Sequence, residues 1–383
     1  MKIRFNRQEI SNKITPLMSV VSGKSTLTAT EGILIEANAA DCCTLTAFDN
    51  EKGMKISVDC EVLEEGSYII NAQKFNQTLK VMDGEFITLT VDSKLQATFE
   101  CGISSHKTGS LRAEEFPEIP DLITEKGFVI SQPTFKQMLS KVSYAMGVND
   151  QRPVLNGCYV KTEEGKISVV SCDSFKLAVC SCPTDISVIE NSTRGIEYSF
   201  IIPAKSVNEI IKLLSDDEDD KVTVYMSYKN MVLKFDHLTF FTKLITGEYI
   251  NYDRIIIKNH KIEIKASKSE LISALERASL ITEERIAGSV RSHVRIVAEN
   301  DLIKVSAVSA AGSIYDEVKT QHTGDGISIA FNNRFLIDSV RACSYEDIKI
   351  SMTSAFSSIN IEPADAKEGE SELFMLLPVR TKD

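Results

Sequence analysis

The sequence predicts an α+β protein of three topologically equivalent domains, each with two helices packed on antiparallel sheet. Two observations carry this. A short apolar strand running straight into a one-sided amphipathic helix occurs three times, and the same order of helix-period and strand-like segments surrounds each copy. The clearest copy is Phe200-Ile201-Ile202, stopped by Pro203 and followed by Val207, Ile210, Ile211 and Leu214 at helical spacing. Its counterparts are Tyr68-Ile69-Ile70-Asn71, leading into Leu79 and Met82, and Ile327-Ser328-Ile329-Ala330-Phe331-Asn332, leading into Leu336 and Val340. The copies stand about 130 residues apart, far beyond the period of a solenoid repeat, so the repeated unit is a whole domain.

Taken in order, residues 7–21 carry Ile10, Ile14, Leu17, Met18 and Val21, a helix that Pro16 should kink. Strands follow at 32–37, 43–48 and 55–60, then the helix from Ala72, then strands at 86–91 and 97–101. Residues 111–120 (LRAEEFPEIP), with two prolines and acidic neighbours, read as an extended connector. The second domain repeats the order: a helix over 132–146, strands at 157–161, 167–171 and 176–180, the helix after Pro203, and strands at 222–226 and 231–235. The third has a helix over 269–280, strands at 294–297, 303–308 and 314–318, the helix from Asn332, and strands at 348–352 and 358–362. The boundaries expected are 1–122, 128–250 and 258–383.

A chain of 383 residues with 43% hydrophobic content can bury several cores. Residues 1–7 run into an amphipathic pattern unlike a signal peptide, and no segment approaches a membrane span. Nine cysteines, odd in number and without a framework spacing, read as reduced thiols. A cytoplasmic protein is expected. The net charge of −11 argues against whole-surface attraction to nucleic acid, though not against basic residues gathered on one surface. Lys205 and Lys212, seven apart, share a helix side away from the apolar stripe.

Enzyme signatures are missing. There is no P-loop, no G-x-G-x-x-G after a strand, no H-E-x-x-H and no G-x-S-x-G. The five histidines have no metal spacing, and Cys180-Ser181-Cys182 reads as structural thiols. The acidic run 215–220 lacks the alternation and glycine of a calcium loop and reads as a solvated loop. No metal, cofactor or catalytic residue is expected. The competing reading is a triplicated α+β enzyme or ligand-binding protein with an interdomain site; it requires a catalytic cluster peculiar to one copy, and none is visible.

Specific residues then carry a resemblance. Arg152-Pro153-Val154-Leu155-Asn156-Gly157, with 170–178 (VSCDSFKLA), resembles the central signature of the bacterial DNA polymerase III β subunits, the sliding clamps. Glu115-Phe116-Pro117, the 247–252 stretch GEYINY and Leu377-Pro378-Val379-Arg380 fit the same family in the same order, over the whole chain. The resemblance implies half of a closed ring: a head-to-tail homodimer whose six domains encircle duplex DNA without reading its sequence. It makes the chain a non-catalytic processivity factor that tethers the replicative polymerase.

The resemblance also implies sites. Lys80, Lys136, Lys141, Lys205, Lys212, Arg334 and Arg341 are candidate charges lining the hole, and each reads equally well as part of a solvated helix face. Lys24, Asn149 and Arg152 match family positions that touch DNA, although Pro153 and Val154 replace aromatics usual beside them. A partner-peptide cleft for polymerase, clamp loader, and repair polymerases, ligase or mismatch-repair proteins would use Leu155, Cys172, Ser174, Phe175, Lys176, Leu177, Ile250, Ile255, Phe356, Leu377, Pro378, Val379 and Arg380. Cys172, Ser174 and Lys176 stand where relatives often carry Thr, Gly and Arg, and Thr381 to Asp383 extend past the family's usual end. For the dimer contact, Leu280 and Ile281 keep an apolar pair, whereas His106 and Thr108 stand where an apolar pair is usual. A readily dissociating dimer is therefore expected.

Overall fold

A computed structural model describes residues 1–21, 23, 27–39, 41–122, 126–163, 165–183, 187–188, 197–227, 229–235, 237–282, 293–310 and 312–380. Six helices occur among them: α1 (Arg7–Leu17), α2 (Ala72–Val81), α3 (Gln132–Ser143), α4 (Ala204–Leu213), α5 (Lys268–Thr282) and α6 (Asn333–Ala342). Every pairing between the described strands is antiparallel. Each third of the chain opens with a strand, enters a helix, runs through a meander, and makes a second strand-to-helix step before three closing strands.

The second step shows how sequence sets the boundary. Asn71 ends its strand and its Oδ1 accepts from the Lys74 N–H at 3.1 Å; Asn332 Oδ1 accepts from the Phe335 N–H at 3.3 Å. Pro203 holds the same position before α4 with no side-chain cap, its fixed φ being compatible with helix entry. Each helix buries one stripe: Phe75 and Leu79 of α2, Val207 and Ile210 of α4, Leu336 and Val340 of α6.

Several sequence expectations are corrected. The first helix stops at Leu17 instead of reaching residue 21; Pro16, with no N–H to give the Asn12 carbonyl, stands in its last turn, and the chain continues in turns where the Met18 N–H still reaches the Ile14 carbonyl at 3.3 Å. Strands Lys2–Asn6, Gly127–Ser131 and Ile262–Ser267 open the three repeats, and Ser104–Arg112, Leu238–Lys243 and Ser371–Leu376 close them; none of the six is among the strands expected from the sequence, although Ile262–Ser267 alternates between buried and more exposed residues. Leu111 and Arg112 thus belong to a strand and not to the connector.

The described residues form two compact units. The first comprises Met1–Gln132, Ser187–Asn191 and Ser215–Leu244, the second Pro133–Ile186, Ser192–Leu214 and Ile245–Asp383. The split cuts the second repeat because strands from neighbouring repeats join one ladder. In the first unit Leu238–Lys243 pairs with Lys52–Asp59 inside a 14-stranded sheet. Gly53 lies opposite Phe241, whose ring covers it: a Cβ there would meet the ring at 2.0 Å, so the glycine makes room for the buried phenylalanine. Phe48, Val232 and Phe241 form the core beneath, closed by Phe116, Ile119 and Leu122 of the connector. In the second unit Lys176–Pro183 pairs with Ser371–Leu376 inside a 12-stranded sheet.

Candidate functional site

The expected cleft residues all fall in the second unit, where the Lys176–Pro183 and Ser371–Leu376 ladder ends. The chain turns at Asp173, whose Oδ1 accepts from the backbone N–H of Phe175 and of Lys176, each at 2.7 Å. This Asx turn ejects Phe175 into solvent, 57% exposed. The Leu377 N–H donates to the Phe175 carbonyl at 2.9 Å, and the Val379 N–H donates to the Ala330 carbonyl at 2.8 Å. Leu377 and Val379 are about two-fifths exposed, so the tail presents apolar side chains from a backbone that is tied down. Pro378 is half-buried and Arg380 exposed. Ile255 follows the 3-10 turn Tyr252–Arg254 and is also partly exposed. Phe356 stands out on the turn between Asp347–Met352 and Ile359–Pro363. The register Ile359 opposite Leu376 sets that turn beside Leu377.

Three expected lining residues occupy a different place. Leu155, Cys172 and Leu177 are buried with Val170, Ile201, Tyr249 and Met375 in one cluster, and Ile250 packs against it half-buried. They form the floor and not the wall. Tyr249 stacks on Tyr159 beneath, centroids 4.8 Å apart. Burial pushes the Cys172 thiol up to about 11, so it behaves as a small apolar group. Lys176 is buried as well. Its Nζ lies 2.5 Å from Asp173 Oδ2 and 4.0 Å from the centre of the Phe335 ring, so its charge is neutralised within the fold.

Phe335, on the first turn of α6, also meets Phe175 with ring centroids 6.3 Å apart. It belongs to the apolar surface, although in the sequence the same turn stands out only for the charge of Arg334. Ser174 Oγ accepts from Arg152 Nη2 at 3.0 Å, and Arg152 pairs with Asp150 at 3.1 Å. Arg152 therefore sits at the rim of this surface. The pairing with Arg152 holds the Asp150 carboxyl below the ordinary carboxylate range.

The expected DNA-facing charges divide by environment. Lys80, Lys205, Lys212 and Arg334 are exposed on their helices, and Lys136 is half-buried. Lys212 pairs with Glu209 at 3.1 Å, the lysine exposed and the carboxylate largely covered, and Arg341 pairs with Glu276 at 2.7 Å with both side chains solvent-facing. Lys141 departs from expectation: its Nζ is 2.6 Å from Glu372 Oε1, with side chains 13% and 4% exposed. A buried pair of this kind leaves no charge to offer an outside phosphate. Asn149 is exposed in a left-handed conformation, φ 55°. Lys24 lies outside the described residues.

His106 and Thr108 lie on Ser104–Arg112 in the first unit. Residues 104–109 pair with Gln96–Cys101 on one side, and only 110–112 pair with Gly66–Asn71 on the other. Two-thirds of the strand therefore has an open edge among the described strands. A groove of about 630 Å³ runs beside it, lined by Lys74, Thr78, Val81, Met82, His106 and Thr108 among others. His106 Nδ1 meets Thr78 Oγ1 at 2.8 Å. In the second unit Gly312–Thr323 behaves likewise: 312–319 pair only with Leu302–Ser309, and 320–323 pair with Ile262–Ser267. Leu280 nearby is 74% exposed and Ile281 half-buried.

Three family models tile the chain in order. They are the N-terminal domain of the DNA polymerase III beta subunit over residues 1–120, its central domain over 129–251 and its C-terminal domain over 253–376. The chain belongs to the DNA polymerase III beta subunit family. Curated beta sliding clamps of Staphylococcus epidermidis and Staphylococcus aureus are 22% and 23% identical, each covered in full along with this chain. Solved structures share the fold over the full length of both chains. A sliding clamp from Bacillus subtilis has TM-score 0.91 at 23% identity, and a beta subunit from Thermotoga maritima has 0.85 at 24%. As a member of this beta-clamp family the protein is a DNA sliding clamp, a processivity factor and not an enzyme. No described helix is long and apolar enough to cross a membrane, which says nothing of strands.

Proposed function

We propose that this sliding clamp closes as a head-to-tail homodimer around duplex DNA and tethers the replicative polymerase through the apolar surface of its second unit. The domains are taken as 1–122, 128–250 and 258–383. The observation that carries the reading is the exposed Phe175, Leu377 and Val379, with Phe356 on the adjoining turn, beside a buried apolar floor and held by the bonds from Leu377 and Val379. Such a surface suits an extended peptide with Leu and aromatic anchors; Pro378, Arg380, Ser174 and Arg152 border it. Clamp loader and repair proteins would compete for the same place.

Two open strand edges support self-association. One runs over 104–109, beside Lys74 and Lys107; the other runs over 312–319, where Asp316 is paired with Arg277 and Lys319 stands on the same segment as Glu317. Two different open edges favour a heterologous contact, which two copies close into a ring. Helix charges at Lys80, Lys136, Lys205, Lys212, Arg334 and Arg341, with Asn149 and Lys24, would attract phosphates weakly and without sequence preference, while topology retains the DNA.

Retention on nicked circular DNA after loading tests this. Co-elution with the circle, and release once it is linearised, is expected; equal retention on linear DNA would overturn the encircling mode. Binding of a polymerase-derived peptide to Phe175→Ala and Leu377→Ala variants tests the cleft separately.

A further inference from the structure

Away from these surfaces, the first-domain sheet holds three thiols close together. Cys42 and Cys43 begin the strand Cys42–Phe48, and Cys60 follows directly on the strand Lys52–Asp59. The register sets Cys43 opposite Val58 and Cys42 opposite Asp59, and the Cys60 N–H donates to the Asp41 carbonyl at 2.9 Å. Side chains alternate along a strand, so Cys43, Val58 and Cys60 share the inner face while Cys42 lies on the other. Cys43 and Cys60 are diagonal neighbours across the ladder, Cys43 buried and Cys60 half-buried.

We propose that Cys43 and Cys60 form a dithiol site that a hydroperoxide closes to an intramolecular disulfide. The neighbouring Cys60 pushes the Cys43 thiol up, and Cys43 in turn holds Cys60 below its ordinary range, against the burial and the Asp59 and Asp41 charges that oppose its ionisation. Cys60, the more exposed of the two, is therefore the nucleophile and Cys43 the resolving thiol. The Cys60 thiolate attacks one peroxide oxygen and the O–O bond breaks. The other oxygen leaves as hydroxide or alkoxide and takes a proton. Cys43 sulfur then attacks the Cys60 sulfenic sulfur, the S–O bond breaks, and the Cys43 proton leaves with the oxygen as water. Two electrons pass from the dithiol to the peroxide. Diagonal neighbours stand about 7–8 Å apart, a little beyond the span of a disulfide, so closure needs the backbone at position 60 to move inward, and the Lys52–Asp59 ladder has already ended there. The bond would pin the strand that pairs with Leu238–Lys243.

The test treats the full-length native protein with hydrogen peroxide, then blocks remaining thiols and maps peptides without reduction. Expected is a cross-linked pair carrying Cys43 and Cys60, lighter by two hydrogens, with two of the nine thiols consumed and both regained on reduction. Cys42→Ser should leave the cross-link unchanged, and Cys43→Ser should abolish it and leave Cys60 as sulfenic or sulfinic acid. Amide exchange over 53–58 should slow on oxidation, a readout in the wild-type chain that does not depend on the variants folding. Over-oxidised Cys60 with no cross-link in the wild-type protein, or a bond from Cys42, would overturn the proposal.

Discussion

The Leu377 N–H donates to the Phe175 carbonyl at 2.9 Å, joining the end of the chain to the turn that ejects the aromatic side chain. The bond extends the ladder in which Lys176 faces Leu376 by one residue beyond the strand. The apolar surface is thus built on sheet backbone, and a partner peptide meets side chains already fixed in place. Preorganisation of this kind reduces the ordering cost of binding.

Phe175→Ala should lower affinity for a partner peptide roughly tenfold, the effect of losing a little over 1 kcal/mol at a central anchor. The side chain is largely exposed, so the melting temperature should barely move. Isothermal titration paired with a thermal melt reads both. A peptide affinity within twofold of wild type would remove Phe175 from the site.

Leu155→Ala and Leu177→Ala should behave oppositely. Both side chains are fully buried in the floor, so each substitution should cost about 2–5 kcal/mol of stability. Peptide binding should fall only as far as the floor distorts. Denaturant unfolding followed at the same temperature as the binding measurement separates the two contributions.

The Lys141–Glu372 pair gives a pH-dependent prediction. Burial pushes Glu372 up, but hydrogen bonds from Lys141 and from the Ser344 N–H and hydroxyl outweigh it and hold the carboxyl below its ordinary 4.5. A depressed carboxyl contributes stability that is fully present above the ordinary value and is lost as the pH falls through the folded value. Unfolding free energy should therefore drop on acidification below about 4.5, and Glu372→Gln should flatten that part of the profile. The same variant leaves Lys141 buried without its counter-charge, at a cost of about 3–5 kcal/mol near neutral pH. Lys141→Met combined with Glu372→Leu should recover most of it in a double-mutant cycle.

The contact between copies should be easily opened. His106 and Thr108 place polar atoms where an apolar pair would bury more area, and Thr108 Oγ1 is buried without a partner. Sedimentation at low nanomolar concentration should show monomer. His106→Phe should tighten the dimer several-fold by adding apolar contact beside Val81 and Met82, and Leu280→Ala should loosen it. An intact wild-type dimer at that concentration would contradict this.

Legibility in the sequence followed the apolar pattern. The triplicated strand-to-helix step was plain because Phe200-Ile201-Ile202 and its copies are buried runs followed by one-sided helices. Ser104–Arg112 was not, because SSHKTGSLR has no apolar alternation and much of it lies at an open edge. Resemblance pointed to Phe175 and Leu377, which are exposed and joined through their backbones, but not to Phe335, because sequence does not say that it will touch a ring 160 positions away. Lys141 was opaque for the same reason. Its partner is 231 positions away, and helical spacing alone made it look like any other surface lysine.

That distinction yields the last prediction. Lys80, Lys205 and Arg334 are exposed, and Lys212 and Arg341 keep more than half of their side chains in solvent although each pairs with a glutamate. Exposed pairs contribute about 0–1 kcal/mol, so a phosphate can displace them. Replacing each of these five by Gln should shorten residence on closed circular DNA and reduce the salt dependence of loading, by roughly one unit of slope for every phosphate the side chain no longer neutralises. Lys141→Gln should leave the slope unchanged while lowering stability, because its charge is already held by Glu372. A salt series on each variant, with its melting curve, reads both quantities. If Lys141→Gln changes the slope as much as Lys80→Gln does, burial of the pair is not what decides which lysines meet DNA.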